Sequence, residues 1–210
     1  MLEGYIALEG LIGAGKTTLA RRLAGEAGSR LVLEEFEENP FLPRFYEAPD
    51  RYAFSVELSF LAQRYHQLKR ITDGDLFSAS TIVDYSLGKS LVFASVTLPE
   101  DEFHLFRDLY GIMYNDLPRP ELIVYLYLHM DRVRERIRSR GRGYEQRITT
   151  EYLGRLQEQY LDHLQKQDRS RVLVVDLQDK DLLHDRQAYE ALIGAIDTTK
   201  DTIGMRVVSL

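Results

Sequence analysis

The sequence predicts an α/β fold, a five-stranded parallel sheet with helices on both faces. Three observations carry that expectation. Short apolar, β-prone segments alternate with amphipathic helical ones along most of the chain. The first of them, Tyr5–Glu9, runs straight into glycines and then into a helix. The fourth, Glu121–Leu128 (ELIVYLYL), is apolar almost throughout, as a strand covered on both faces must be.

In chain order, Tyr5–Glu9 is a buried strand feeding a loop. Lys16–Ala27 places Leu19 and Leu23 at helical spacing among alanines, and Gly28 closes it. Leu31–Glu34 is the second strand. Pro40, Pro43 and Pro49 break the region that follows, which reads as loop and short turns. Tyr52–Ile71 is a long amphipathic helix ending in a turn at Asp73–Asp75. Ser80–Asp84 is the third strand, followed by a helix over Gly88–Val96. Pro99 opens a further helix to about Asp116, ended by Pro118 and Pro120. After the fourth strand Asp131 caps an arginine-rich helix interrupted by Gly141 and Gly143. Thr149–Gln167 is helical, Arg171–Asp176 is the fifth strand and His184–Ile196 the last helix; Thr198–Leu210 has no clear pattern.

A length of 210 residues suits one compact domain, and no repeat or linker divides it. Hydrophobic residues make up 44% and charged residues 29%, an ordinary globular balance. Without cysteine there is neither a disulfide framework nor a thiolate metal site. No signal-peptide pattern and no membrane-length apolar run occurs, so a cytoplasmic location and no membrane partner are expected. The net charge of −6 argues against a nucleic-acid polymer as partner, since such binders carry broad basic surfaces. Yet Arg132, Arg134, Arg136, Arg138, Arg140, Arg142 and Arg147 crowd one short segment. A local cationic patch on an acidic chain suits a small, highly charged ligand.

Gly10-Leu11-Ile12-Gly13-Ala14-Gly15-Lys16-Thr17 satisfies G-x-x-x-x-G-K-[ST] in full, between a predicted strand and a predicted helix. Glycines let the backbone wrap phosphate, and the helix N-terminus adds its positive dipole end. Gly10, Gly13, Ala14, Gly15, Lys16, Thr17 and Thr18 are therefore expected to hold ATP. Lys16 reaches the β- and γ-phosphates and the Thr17 hydroxyl ligates Mg²⁺. The fold expected is that of a P-loop kinase.

Transfer of the γ-phosphoryl group to a hydroxyl needs a group to accept the hydroxyl proton. In a parallel sheet, ligands gather at the carboxyl ends of the strands. Glu34 ends the second strand and is the candidate base, with Glu35 as runner-up; the alternative is a solvated acidic run through Glu37 and Glu38. Asp84 ends the third strand and is a candidate for Mg²⁺ or its water shell. Among the arginines, Arg140 and Arg142 beside Gly141 and Gly143 suit a mobile lid over about residues 136–147, neutralising the transferring phosphoryl group. Five scattered histidines show no ligand spacing.

With these residues in place, the chain resembles the deoxynucleoside kinases, and more narrowly the bacterial deoxyadenosine/deoxyguanosine kinases. The resemblance covers residues 4–176. It rests on GLIGAGKTT at Gly10–Thr18, LEEFEENPFLPRFYE at Leu33–Glu47, RYAFSVELSFLAQRY at Arg51–Tyr65, DYSLGKSLVFA at Asp84–Ala94 and RERIRSRGRGYEQ at Arg134–Gln146. It implies that Glu34 is the catalytic base, here before Glu35-Phe36 where other members have Pro-Val. It implies that Tyr46 and Glu145 hold the sugar 3′-hydroxyl, and that Arg140 and Arg142 belong to a lid. By the same resemblance Glu57 stands where many members read the base edge with glutamine, Arg64 follows two helical turns on, and Phe93 stacks on the base. A homodimer joined through helices is also implied.

The sequence departs from that pattern in two places. Many members have an acidic-Arg-Ser triplet after the third strand; here Asp84-Tyr85-Ser86 lacks the arginine, and a lid arginine or Arg64 is the expected substitute. A slip of one residue would put Asp84 at the arginine position instead of the metal. Glu57 replaces a glutamine, and an ionised carboxylate only accepts, which suits guanine's two donors better than adenine's mixed edge. A pairing of Glu57 with Lys89 would alter that reckoning. The expected activity is thus ATP-dependent phosphorylation of a deoxynucleoside, a purine, in nucleotide salvage. The alternatives are a nucleoside monophosphate kinase of thymidylate kinase type, which needs cations at the acceptor, and a nonenzymatic or GTP-switch protein, which lacks its N-K-x-D segment here.

Overall fold

A computed structural model describes residues 2–36, 39–72, 80–199 and 204–210. Strand β1 (Gly4–Gly10) alternates its side chains between two cores, as the period of a strand dictates. Ile6 and Leu8 enter one apolar cluster, and Tyr5 and Ala7 enter the other. A strand buried on both sides must be apolar on both, which is why YIAL reads as a continuous run.

Around β1 the order of strands is β2-β3-β1-β4-β5-β6, all neighbours parallel. Here β2 is Arg30–Val32, β3 Ser80–Val83, β4 Leu122–Tyr127, β5 Arg171–Asp176 and β6 Met205–Ser209. The helices are α1 (Lys16–Ala27), α2 (Leu42–Glu47), α3 (Pro49–Thr72), α4 (Gly88–Thr97), α5 (Glu100–Tyr114), α6 (Met130–Arg140), α7 (Thr150–Gln165) and α8 (Arg186–Thr198). Leu19 and Leu23 of α1 and Leu192 of α8 belong to the cluster with Ile6 and Leu8. Val56 and Leu61 of α3 and Phe106 of α5 belong to the other.

The sheet has six strands, not the expected five. The sixth lies in the tail that showed no pattern: β6 pairs with β5 from Val172↔Met205 to Asp176↔Ser209, and its side chains alternate exposed and half-buried. Backbone pairing at an edge holds it, and that leaves little hydrophobic signal in sequence.

Several elements also differ from expectation. Strand β2 ends at Val32 because the chain beyond it leaves the ladder, with the Glu34 N–H donated to the Asp84 carboxylate at 2.7 Å. The proline-broken region contains α2, with Pro43 in the first turn, where its missing N–H has no intrahelical partner to lose. Helix α3 likewise begins at Pro49 and not at Tyr52. The N-cap of α6 is His129, and Asp131 lies inside its first turn. The turn at Asp73–Asp75 lies outside the described residues.

Because β1 carries the phosphate loop on its end, its packing sets the loop's position. Leu8 is fully buried. Leu8→Ala is expected to cost about 2–5 kcal/mol in equilibrium urea denaturation. A loss under about 1 kcal/mol would show that β1 is not tightly packed there.

Candidate active site

The order of strands reverses at β1, flanked by β3 and β4, and the crevice at that point opens beyond the strands' carboxyl ends. The loop Gly10–Gly15 fills its floor. Gly10, at φ 146°, has no room for a side chain, since a Cβ would lie 2.8 Å from the Leu126 carbonyl. Gly13 takes φ 83° and Gly15 φ 93°, turning the backbone so that α1 starts at Lys16. The Ala14 N–H is engaged within the loop by the Leu11 carbonyl at 3.1 Å.

Lys16 folds back over the loop, its Nζ donating to the Gly10 and Leu11 carbonyls at 2.8 and 3.0 Å. Burial first and the nearby Lys89 charge second pull its pKa down to about 8, against the attraction of Glu9, Glu34 and Asp84. The Thr17 hydroxyl donates to Asp84 Oδ2 at 2.5 Å. Thr18 is exposed beside them and lines the same cleft, a space of about 900 Å³ that also meets Arg21, Glu35, Arg136, Arg140 and Arg142.

Glu34 sits at the inner end of this cleft. Its Oε1 accepts from Arg64 Nε at 2.9 Å and Nη2 at 2.7 Å, and its Oε2 from Lys89 Nζ at 2.5 Å. Arg64 comes from α3 and Lys89 from α4, so two helices converge on one carboxylate. Burial would raise the Glu34 pKa, but Lys89 and Arg64 outweigh it and hold the group ionised, at about 2. Glu35 is exposed; Glu37 and Glu38 lie outside the described residues.

Beyond Glu34 lies a smaller inner chamber of about 110 Å³. Tyr46, Glu57, Arg64, Asp84, Phe93 and Glu145 all line it, and Glu34 and Lys16 face it too. The structure therefore gathers every substrate-side residue picked from the sequence around one space. Two carboxylates there are left partly unsatisfied: Glu57 Oε2 and Glu145 Oε2 are buried without a hydrogen bond. The other Glu145 oxygen meets Arg142 at 3.2 Å and Arg140 at 3.7 Å. Burial pushes the Glu57 carboxyl up to about 7, with Arg64, Thr97 and Lys89 opposing and Glu34 assisting. Tyr46 stacks on Tyr144 at 5.6 Å, and burial, then Glu145, push its hydroxyl pKa up.

Arg64 has little left for a ligand, because its Nη1 donates to Ser90 Oγ at 2.7 Å while the rest grips Glu34. Lys89 pairs with Glu34 and not with Glu57. Of the seven clustered arginines, Arg136, Arg140 and Arg142 line the cleft, and Arg142 and Arg140 lie over the Phe36 ring at 4.1 and 5.8 Å. Arg136 donates to the Ala14 carbonyl at 3.2 Å. The others meet surface partners such as Glu135 and Glu47, or are exposed.

Sequence reasoning missed Lys89 as a partner of Glu34, and it missed Glu9. Glu9 is buried in β1 and accepts from the Ser86 N–H and hydroxyl at 2.8 and 2.7 Å and from Tyr160 at 3.1 Å. A charged residue inside an apolar strand was its one available signal.

Among the described residues no cluster of three or more His, Cys, Asp or Glu could hold a metal ion, and no helix is long and apolar enough to cross a membrane.

The sequence profile of a family described as deoxynucleoside kinase matches residues 6–200. The deoxyguanosine kinase of Bacillus subtilis is 35% identical over 193 residues, spanning 90% of this chain and 93% of that one. The deoxyadenosine kinase of Dictyostelium discoideum is 34% identical over 178 residues, 83% of this chain and 71% of that one. A solved deoxyadenosine kinase from M. mycoides, with dCMP and a flexible dCDP bound, shares the fold at a TM-score of 0.78, with 23% identity over 92% of this chain and 99% of that chain. The chain belongs to the deoxynucleoside kinase family, phosphotransferases that act on a hydroxyl group.

Proposed function

We propose that this enzyme transfers the γ-phosphoryl group of ATP to the 5′-hydroxyl of a purine deoxynucleoside, in nucleotide salvage. One observation carries the reading: the ionised Glu34 carboxylate lines both the phosphate cleft and the inner chamber, where donor and acceptor would meet. Glu34 is a weak base, and its contribution is position, since phosphoryl transfer passes through a loose transition state with late proton movement. Arg64 and Lys89 fix it from two sides, and Lys89 supplies the cation that the Asp84-Tyr85-Ser86 turn lacks.

On the donor side, the loop Gly10–Thr18 cradles the phosphates, with Lys16 turning from its carbonyls toward them. Thr17 and Asp84 fit a Mg²⁺ site: a hydroxyl and a carboxylate in contact, on the scale of one or two protein ligands that this ion takes beside phosphate. When bound, the ion neutralises charge on the phosphate oxygens. Arg140 and Arg142, on a lid over about residues 136–147, bring further positive charge to the cleft.

On the acceptor side, Tyr46 and the unsatisfied Glu145 oxygen suit the sugar 3′-hydroxyl, and Phe93 and Glu57 suit the base. A monophosphate acceptor would need free cations here. Arg44 and Arg51 do not line the chamber; of the cations that do, Arg64 and Lys89 are taken by Glu34, Arg140 and Arg142 meet Glu145, and Lys16 belongs to the phosphate loop. That supports an uncharged nucleoside. Guanine's paired donors suit an ionised Glu57, and the similarity to a deoxyguanosine kinase points the same way. Family membership supports a cytoplasmic homodimer.

With ATP and Mg²⁺, deoxyguanosine or deoxyadenosine is expected to give the 5′-monophosphate; turnover of nucleoside monophosphates alone would move the protein to the thymidylate kinase type. Glu34→Gln should lower kcat about 10²–10⁴-fold with little change in KM. Lys89→Met removes a charge that keeps Glu34 ionised, so the Glu34 pKa rises. The acid limb of the kcat/KM profile should then move to higher pH, and Lys89→Arg should restore it. An unmoved limb would leave Arg64 alone as the support of the base.

A further inference from the structure

We propose that Glu57 reads both purines by gaining or losing one proton, so that proton occupancy of this carboxyl selects between deoxyadenosine and deoxyguanosine. The inference rests on the inner chamber being the nucleoside site.

Glu57 is 3% exposed, with Oε2 free of any hydrogen bond. Its other oxygen faces the Thr97 hydroxyl at 3.2 Å. That hydroxyl has a single proton and a closer acceptor, the Phe93 carbonyl at 2.9 Å. In the empty chamber, with that proton on Phe93, Thr97 accepts from a protonated Glu57; when the Glu57 proton is donated to a base instead, the Thr97 hydroxyl keeps its own bond to Phe93. With the proton turned to Glu57, an ionised carboxylate is satisfied instead. Both forms of Glu57 therefore have a partner without any movement of heavy atoms.

The charged neighbours do not force either form. Arg64, seven residues on along α3, and Lys89 of α4 both pair with Glu34. Facing from other elements are Glu34 itself, Tyr46 of α2 and Tyr152 of α7, and the chamber also meets Lys16, Arg140, Arg142 and Glu145. Burial opposes ionisation and the two cations favour it, so the balance falls at about 7.

The chemistry of the bases completes the argument. Guanine offers two neighbouring donors, N1–H and the exocyclic N–H, which an ionised carboxylate accepts together. Adenine offers one N–H donor beside the N1 acceptor, which a protonated carboxyl matches by accepting once and donating once. A glutamine cannot accept twice from guanine's donors through both heads, because one of them is itself a donor. A carboxyl can serve either purine, with one proton as the difference.

The test is the ratio of kcat/KM for deoxyguanosine to that for deoxyadenosine, measured in competition from about pH 6 to about pH 8, where neither base titrates. Ionisations that both substrates share, such as that of Glu34, cancel in the ratio. The ratio is expected to rise about tenfold per pH unit, the slope of one proton, and to become flat in Glu57→Gln. A flat wild-type ratio alongside altered selectivity in Glu57→Gln would overturn the titration while keeping Glu57 as reader. An unchanged ratio in Glu57→Gln would remove Glu57 from base reading. Failure of active wild-type enzyme to use either purine would bring down the reading of the chamber. A second measurement needs no variant: calorimetric binding in buffers of different ionisation enthalpy should show proton uptake with deoxyadenosine near neutral pH and proton release with deoxyguanosine. Equal proton exchange for the two would overturn the proposal.

Discussion

The ion cluster of Glu34, Arg64 and Lys89 is the constraint around which the rest of the site is arranged. Its side chains are 12%, 3% and 10% exposed, so none could remain charged there alone. Breaking such a pair by removing one partner costs about 3–5 kcal/mol in general, because an uncompensated charge is left behind. The cluster thereby ties the chain after β2 to α3 and α4. It also keeps a carboxylate ionised in a place where burial alone would protonate it. Stability and the ionised state of Glu34 come from the same contacts.

A second buried carboxylate does related work two strands away. Glu9 binds the Ser86 backbone and hydroxyl and the Tyr160 hydroxyl, joining the root of the phosphate loop to the start of α4 and to α7. Burial pushes its pKa up, with Lys89 and the Ser86 contacts opposing. Lys89 is thus felt by Glu34, Glu9 and Lys16 alike. One cation, five residues beyond Asp84, acts on three charged groups of the crevice. The lysine's long stem makes this possible, since it reaches Glu34 from α4 where an arginine directly after Asp84 would start from the turn itself.

The arginine-rich segment shows how geometry sorts residues that composition cannot. Arg136 and Arg140, four residues apart on α6, share one helix face, and both line the cleft. Arg142, past the αL residue Gly141 at φ 71°, turns back toward Phe36 and Glu145. Phe36 carried no chemical signal in the sequence, yet its ring is the surface on which Arg140 and Arg142 rest.

The sequence by itself determined the α/β class, the strands β1, β3, β4 and β5, the phosphate loop, and the identity of Glu34, Tyr46, Glu57, Arg64, Asp84, Phe93 and Glu145 as residues of interest. The fold class, the strands and the loop are local properties, written into consecutive residues as periodicity, β-propensity and a fixed spacing of glycines and lysine. Glu34 and Asp84 followed from their places at strand ends, and Tyr46, Glu57, Arg64, Phe93 and Glu145 from resemblance to the deoxynucleoside kinases. The tertiary structure alone decided the edge strand β6, the pairing of Lys89 with Glu34 instead of Glu57, and the isolation of one Glu57 oxygen. Lys89 is 55 positions from Glu34 in the chain, and Arg64 is 30. No local pattern encodes which of two carboxylates a lysine will meet. That follows from the packing of α3 and α4 against the sheet, where burial makes an unpaired charge too costly and leaves a protonatable carboxyl affordable.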